Sequence, residues 1–346
     1  MNMDWTPGQA AGNDEVVIAH GGGGEQTRRL IAEHVLPKLG NALLAPLMDS
    51  AVLTVAAGRI AFTTDSFVVQ PLVFPGGDIG RLAVCGTVND LAVMGAVPQA
   101  LSLALVLEEG LPFRMLDQVV DSIAAAAREA GVVVATGDTK VIERHRGDGM
   151  IITTAGIGVM REGMELSPRR IEPGDRVIVT GRIADHGLAV MSAREGLAFE
   201  TELLSDVAPL GGLVEAICRA GADLKFMRDP TRGGLAGVVA DLADDTGLSI
   251  ELDEAAIPLS RAARHTAELL GLDPLSIANE GKVVAVAPAA DADRLIDACR
   301  SHPLGREAAV IGRFTEAQPA LVELITRSGG RRVVQRPYGE ELPRIC

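Results

Sequence analysis

The residues with the clearest chemical potential are isolated carboxylates in apolar or hydroxyl-rich surroundings and a thiol on the last residue. Asp49 precedes the apolar run at 51–55, Asp65 stands in Thr63-Thr64-Asp65-Ser66, and Asp90 in Val88-Asn89-Asp90-Leu91. Asp138 lies in Thr136-Gly137-Asp138-Thr139-Lys140, and Asp229 in Arg228-Asp229-Pro230-Thr231-Arg232-Gly233-Gly234. Carboxylates in such settings are costly unless paired, hydrogen-bonded or bound to a cation. Oxygen ligands completed by water suit Mg²⁺ bridging nucleotide phosphates. Taken singly, each Asp reads better as a cap or turn residue. Asp229-Pro230 fits that reading especially well, with Asp as N-cap and Pro at the first helical position.

Cys346 ends the run Pro343-Arg344-Ile345-Cys346. A thiolate is a soft nucleophile able to carry an acyl or carbamoyl group. The adjacent terminal carboxylate should raise the thiol pKa, so reactivity would need help from a partner site. Near the other end, Gly21-Gly22-Gly23-Gly24-Glu25 precedes a helical pattern. Backbone N–H groups of Gly22 and Gly23 could wrap a phosphate beside a helix start, although a flexible linker has the same composition. Neither a P-loop nor a Gly-x-Gly-x-x-Gly after a strand occurs.

These residues need elements to hold them. Leu30, Ile31, Val35 and Leu39 predict a helix over 26–39, and 51–55 with 60–69 read as a strand hairpin. Helices follow at 80–94 and 115–130, and strands at 101–107, 132–135 and 150–159. Strands and helices mix without strict alternation, which favours α+β architecture. Pro168 and Pro173, just ahead of a strand at 176–180, mark a domain boundary. The expected organisation is a Gly-rich segment and helix over 1–44, an N-terminal domain over 45–166, and a mixed α/β C-terminal domain over 167–326. An extended, mobile tail would occupy 327–346. Fully extended from Gly329, that tail reaches about 55–60 Å.

Composition narrows the function. The 346 residues, 47% of them hydrophobic, are enough for two cores, and 3% aromatics with one Trp leaves those cores to aliphatic side chains. A net charge of −14 without a basic run excludes a nucleic-acid partner. No secretory signal or membrane-spanning run is apparent, so a cytoplasmic enzyme without membrane association is expected. Cys85, Cys218 and Cys299 lie in apolar helical patterns and read as buried small hydrophobes, with no Cys-x-x-Cys pair.

Taken in order, the segments around Asp49, Asp65, Asn89-Asp90, Gly137-Asp138-Thr139-Lys140 and Asp229-Pro230-Thr231-Arg232-Gly233-Gly234 resemble those of the aminoimidazole-ribotide-synthetase-like ATP enzymes, over roughly residues 45–325. Pro75-Gly76-Gly77, Ala278-Asn279-Glu280-Gly281-Lys282, Ser301-His302-Pro303-Leu304-Gly305 and the terminal Pro-Arg-Ile-Cys make the chain look like that superfamily's carbamoyl dehydratases of hydrogenase maturation.

The resemblance implies a two-domain α+β fold in which N-terminal strands of two subunits form a dimeric β-barrel, hence a homodimer. It implies ATP and Mg²⁺, with Asp49, Asp65, Asp90 and Asp229 as metal and phosphate carboxylates and Asp138 a further candidate. Arg232 and His20 become nucleotide contacts. Lys140 would hold a phosphate or the thiocarbamate oxygen, Glu280 would be the base, and Cys346 would carry the reacting group. Without the resemblance, Lys140 reads as a solvated strand-end lysine and Glu280 as a salt-bridge partner of Lys282. His186 and His302 would cap a turn or contact the tail. Implied partners are a carbamoyltransferase of the HypF type and a HypC–HypD scaffold complex as cyanide acceptor. The competing readings are a superfamily kinase or ligase acting on a free small molecule, and a nucleotide-switched, non-catalytic scaffold.

Overall fold

The computed structural model describes residues 24–35, 47–55, 58–196, 203–339, 342 and 344–346. Its first half contains β1 (Ala51–Val55), β2 (Gly58–Phe67), the short pair β3 (Val73–Phe74) and β4 (Gly77–Asp78), β5 (Ala96–Glu108), β6 (Val133–Ile142) and β7 (Met150–Met160). The helices are α1 (Glu25–Leu30), α2 (Ile79–Val93) and α3 (Phe113–Ala130). Five strands form one sheet in the order β1-β2-β7-β5-β6. Only β5 and β6 run parallel, because α3 carries the chain back between them, as a parallel crossover requires.

Helix α3 buries Val119, Ile123, Ala126 and Ala127, one stripe at helical spacing, and stops at Gly131 in the left-handed conformation. Helix α2 differs: every residue except Arg81 and Asp90 is buried, because it lies between the first sheet and the second half of the chain. Its start is fixed by Asp78, whose side chain accepts from the Arg81 N–H at 2.9 Å. Burial on all sides makes α2 the element best placed to carry a residue into the space between the two halves.

The second half contains β8 (Arg176–Val179), β9 (Phe226–Arg228), β10 (Ser249–Asp253), β11 (Val284–Ala287), β12 (Ala309–Thr315), β13 (Val322–Ile325) and β14 (Arg331–Val333). The helices there are α4 (Asp185–Arg194), α5 (Gly211–Arg219), α6 (Gly234–Thr246), α7 (Arg261–Leu270) and α8 (Ala292–Arg300). Seven strands form its sheet in the order β14-β13-β10-β12-β8-β11-β9. Side chains alternate across it: Val177 and Val179 join the α6-side core, whereas Ile178 joins the core with α5 and α8. Helices therefore cover both faces.

Several expectations change in the structure. The helix foreseen over 26–39 is α1 followed by a π-helical turn, Ile31–Val35, and 36–46 lie outside the described residues. β6 runs through Ile142, well beyond the expected 132–135, so Asp138 and Lys140 sit within a strand. The short strands β9 and β14 were not foreseen. Asp229 is no helix cap: α6 starts at Gly234 with Gly233 as its N-cap, and Asp229 instead follows the end of β9. No closed barrel forms in the single chain; among the described residues the first sheet is open.

The described residues of the tail make specific contacts with the rest of the fold. After β14, Arg336 donates to Asp241 and Asp244, and the Pro337 and Tyr338 carbonyls accept from the first N–H groups of α1, those of Glu25 and Gln26. Those helix-start donors are thus already satisfied. Gly22, Gly23 and His20, expected at a phosphate, lie outside the described residues. Ile345 is only 3% exposed and belongs to the first-half core.

Candidate active site

Loops and strand ends of both halves bring most of the foreseen acids together. Asp49 precedes β1, Asp65 lies on β2, Asp90 on α2, Asp229 just after β9, and Glu280 just before β11. Thr63 ties two of these segments, its hydroxyl lying 2.9 Å from both the Asp49 carbonyl and Asp90 Oδ2. Thr87, one helical turn before Asp90, donates to Asp65 Oδ2 at 3.0 Å. Ser50 donates to the Asp90 carbonyl at 3.2 Å. Small hydroxyls thus aim two carboxylates, Asp65 on β2 and Asp90 on α2, and tie the Asp49 backbone beside them.

Arg228 limits the charge on one side. Its guanidinium donates to Asp49 Oδ1 at 2.9 Å and to Asp241 Oδ2 at 3.1 Å, and those carboxylates raise its pKa further despite its burial. The other oxygen, Asp49 Oδ2, is buried and accepts no hydrogen bond among the described residues. An orphaned buried carboxylate oxygen requires an explanation, and an unrepresented cation is one.

The remaining acids are pushed toward their neutral forms. Burial, followed by the charge of Asp49, raises Asp229 to about 8. Burial and then Asp229, Asp65 and Asp49 raise Asp90 well above the usual carboxylate range. Asp65 is raised by burial, against the opposing hydrogen bond from Thr87. Glu280, 2% exposed, is also raised well above its ordinary value, first by burial and then by Asp229 and Asp206. A like-charged, desolvated cluster of this kind favours a proton or a cation. Among the described residues no three such groups converge into a ready-made metal cage. Mg²⁺ seldom uses one; it takes one or two carboxylates and completes its shell with phosphates and water.

Backbone positioning comes from two buried asparagines, each next to an acid. Asn89 on α2 accepts from the Leu210 N–H at 2.7 Å and donates to the Ala208 carbonyl at 3.0 Å and the Glu280 carbonyl at 3.3 Å. Asn279 accepts from the Ala184 N–H at 2.7 Å and donates to the carbonyls of Pro230 and Ile277. Asp206 completes the frame by accepting from the N–H groups of Glu280 and Gly281 and from Lys282 Nζ, at 3.0, 3.2 and 2.9 Å. Lys282 therefore pairs with Asp206, not with Glu280. Gly281 is required here, because a Cβ on it would sit 1.9 Å from the Asp206 carbonyl oxygen. Gly234 has φ +59, and a Cβ there would sit 2.5 Å from the Leu275 carbonyl oxygen; without it α6 could not start so close to that loop.

Residue 346 lies within electrostatic reach of this cluster through Arg232. Arg232, beyond Asp229 in the same loop, is held charged first by Cys346 and then by Asp65, Glu280 and Asp90, against the effect of burial. Cys346 is half-buried and packs against the first-half core. The tail behind it is held by His186, whose Nε2 lies 3.0 Å from the Ile345 carbonyl, and by Gln70 and Arg194, which both donate to the Arg344 carbonyl. His302 is not part of this arrangement: its Nδ1 accepts from the Leu304 N–H, a local turn.

Two foreseen residues are not brought in. Asp138 and Lys140 are exposed on edge strand β6, and the Lys140 side chain makes no hydrogen bond or ion pair among the described residues. Asp65 pairs with Thr154, Thr154 with Leu103, and Leu103 with Gly137, so β6 lies three strands from Asp65, roughly 14 Å. Sequence reasoning in turn missed Asn89, Asn279, Asp206 and Thr87 as positioning groups. The adjacent pairs Asn89-Asp90 and Asn279-Glu280 were the available signal.

The arrangement defines a nucleotide-dependent enzyme of the AIR synthase class. The AIR synthase related N-terminal domain family matches residues 47–160, and its C-terminal domain family matches 172–323. The chain is 48% identical over 334 residues to the carbamoyl dehydratase HypE of Azotobacter vinelandii, covering 96% of this chain and 98% of that protein. A crystal structure of a HypE–HypF complex superposes with TM-score 0.84 at 44% identity, covering 89% of this chain and 99% of that one. Hydrogenase maturation protein HypE in complex with ATP gives TM-score 0.80 at 41% identity, covering 96% of this chain and all of that one, 100%. The chain belongs to the HypE family of carbamoyl dehydratases.

Proposed function

We propose that this chain uses ATP to dehydrate an S-carbamoyl group carried on its own Cys346, giving an S-cyanocysteine that supplies cyanide ligands for a nickel–iron hydrogenase. The supporting observation is how the chain's end is seated: Cys346 is half-buried against the first-half core, and the Arg344 and Ile345 carbonyls before it are held by Gln70, Arg194 and His186, with Arg232 within electrostatic reach. A kinase or ligase acting on a free small molecule has no need of a tail seated there.

The steps balance as follows. The carbamoyl oxygen attacks the γ-phosphorus of ATP, an O–P bond forms, and ADP leaves. The C–O bond then breaks with its electrons passing to the phosphate. The nitrogen loses both protons as C≡N forms, one ending on inorganic phosphate and the other released. Arg232 stabilises negative charge that develops at the carbamoyl oxygen. Glu280, framed by Asn89 and Asp206, accepts a nitrogen proton. Its raised pKa suits that task once cationic charge enters the cluster.

The donor set of Asp49, Asp65, Asp90 and Asp229 fits Mg²⁺, with the orphaned Asp49 Oδ2 as the first oxygen available. When bound, Mg²⁺ would screen the phosphate charges. The first sheet leaves Phe62, Val97, Val133, Val141, Ile157 and Val159 exposed on one face or edge, which supports burial against a second copy in a homodimeric barrel. Asp138 and Lys140 would then serve the site of the opposite subunit, since their own lies too far away. A HypF-type carbamoyltransferase supplies the carbamoyl group, a HypC–HypD complex accepts the cyanide, and the cytoplasm is the place of action. The test of the chemistry is Glu280→Gln: carbamoylated Cys346 should persist with ATP bound, and conversion at the normal rate would remove Glu280 from its role.

A further inference from the structure

We propose that His186, with Ser205 behind it, is a positioning residue that docks the last two peptide units of the chain and so fixes the Cys346 sulfur in the active site. The inference rests on the tail-borne reaction described above. His186 is fully buried at 0% exposure, and both of its ring nitrogens are engaged. Since a carbonyl can only accept, Nε2 must carry the hydrogen toward the Ile345 oxygen at 3.0 Å. Nδ1 is then the acceptor, taking the Ser205 hydroxyl hydrogen at 2.8 Å. Burial lowers the His186 pKa, so the neutral ring with this tautomer is the resting form. Phe74 stands edge-on to the ring, with centroids 5.4 Å apart and planes at 88°, and prevents it from turning.

The other contacts extend the dock along the tail. The Gln70 N–H and the Arg194 guanidinium converge on the Arg344 carbonyl at 3.1 and 2.6 Å, and the Arg344 side chain pairs with Asp148 at 3.2 Å. Ile345 drops its side chain among first-half core residues. Two consecutive carbonyls and one apolar side chain are thereby read, while nothing in the dock demands a particular group on the sulfur. Such a dock can hold Cys346 both with and without its carbamoyl group. The Pro337 and Tyr338 carbonyls, held by the first N–H groups of α1, shorten the moving part: a segment released beyond Tyr338 spans about 25–30 Å.

The test uses the full-length chain with His186→Phe, which keeps a buried ring without the donor, and His186→Gln, whose side-chain amide restores one near Nε2. Three quantities are read: the rate at which iodoacetamide alkylates Cys346, the single-turnover rate of carbamoyl dehydration, and ATP affinity. In His186→Phe, alkylation should accelerate severalfold and dehydration slow roughly tenfold, the loss expected for one buried hydrogen bond, with ATP affinity unchanged. His186→Gln should recover most of both. Arg194→Met removes a donor from the rim and should shift both rates the same way by less, so the dock stays testable if His186→Phe does not fold. Wild-type alkylation and dehydration rates in His186→Phe would overturn the proposal, as would a loss of ATP affinity that His186→Gln fails to restore. Wild-type chain that shows protection of Cys346 but never forms thiocyanate would overturn the reaction while supporting the dock.

Discussion

Replacing Asn89 by Leu separates two consequences of one buried side chain. Asn89 is 0% exposed and bridges α2 to the segment 208–210 and to Glu280. Leu fills nearly the same volume but pairs with none of these groups. The Glu280 carbonyl keeps a second partner, the Ala208 N–H at 3.3 Å, whereas the Leu210 N–H and the Ala208 carbonyl lose their partners inside the protein. At about 1–3 kcal/mol for each unsatisfied buried group, the change should cost about 2–6 kcal/mol. That is a large share of the stability of a typical protein, about 5–15 kcal/mol. Urea denaturation followed by circular dichroism measures it, with a lower midpoint and an unchanged slope expected. Glu280 would lose its tie to α2 and hence its register with Asp90. Misplacement of a catalytic group by about an ångström can cost roughly 100-fold in rate, so dehydration should fall further than ATP binding. A midpoint shift equivalent to under about 1 kcal/mol together with normal turnover would refute the positioning argument.

Arg228→Met leaves Asp49 facing the acidic cluster without its guanidinium partner, which should destabilise the metal-free chain by about 3 kcal/mol; a thermal melt unchanged from wild type would contradict the pairing. Lowering the pH tests His186. Its folded pKa lies below its unfolded value, so the folded state binds fewer protons between the two, and stability present above about pH 6.5 is lost as pH falls below it. Asp206 is the charged group that opposes this shift, and Ser205, Phe74 and the Ile345 carbonyl are the other neighbours. The difference in melting temperature between wild type and His186→Gln should therefore narrow on acidification from pH 7 to 5.5, and a constant difference would count against a buried neutral ring. Removing divalent cations with a chelator should abolish turnover while leaving the fold intact, since the acidic cluster can take up protons instead; cooperative unfolding on chelation would contradict this.

Asp49, Asp65 and Asp90 carry a local signal, because each stands beside Ser, Thr or Asn in the sequence, whereas Asp229, between Arg228 and Pro230, was grouped with them through the resemblance; in the fold the four lie within electrostatic reach of one another. Cys346 was singled out by its terminal thiol, and Glu280 and Arg232 by the resemblance; in the fold Arg232 lies within electrostatic reach of Cys346, Glu280, Asp65 and Asp90. For His186 the turn cap and the tail contact stayed open in the sequence, since His186 and Ile345 are 159 residues apart and no periodicity encodes their contact. Asp206 was missed for the same reason, as its partners are backbone N–H groups 74 and 75 residues away. β9 and β14 have three residues each, too few to show alternation. β6 escaped full recognition because all of it but Ile142 is exposed, leaving no apolar stripe to mark its length. Asp138 and Lys140 were grouped with the other site residues by motif order, which carries no information on how many strands separate them.

The central claim is that Cys346 is the substrate-bearing atom of its own enzyme. Intact mass spectrometry of the full chain, after carbamoylation by a HypF-type carbamoyltransferase and addition of ATP and Mg²⁺, tests it directly. The account predicts a carbamoyl adduct mapped to Cys346 that loses one molecule of water only when ATP is present. A carbamoyl adduct that stays intact with ATP, or a dehydrated adduct mapped to any other residue, would contradict it.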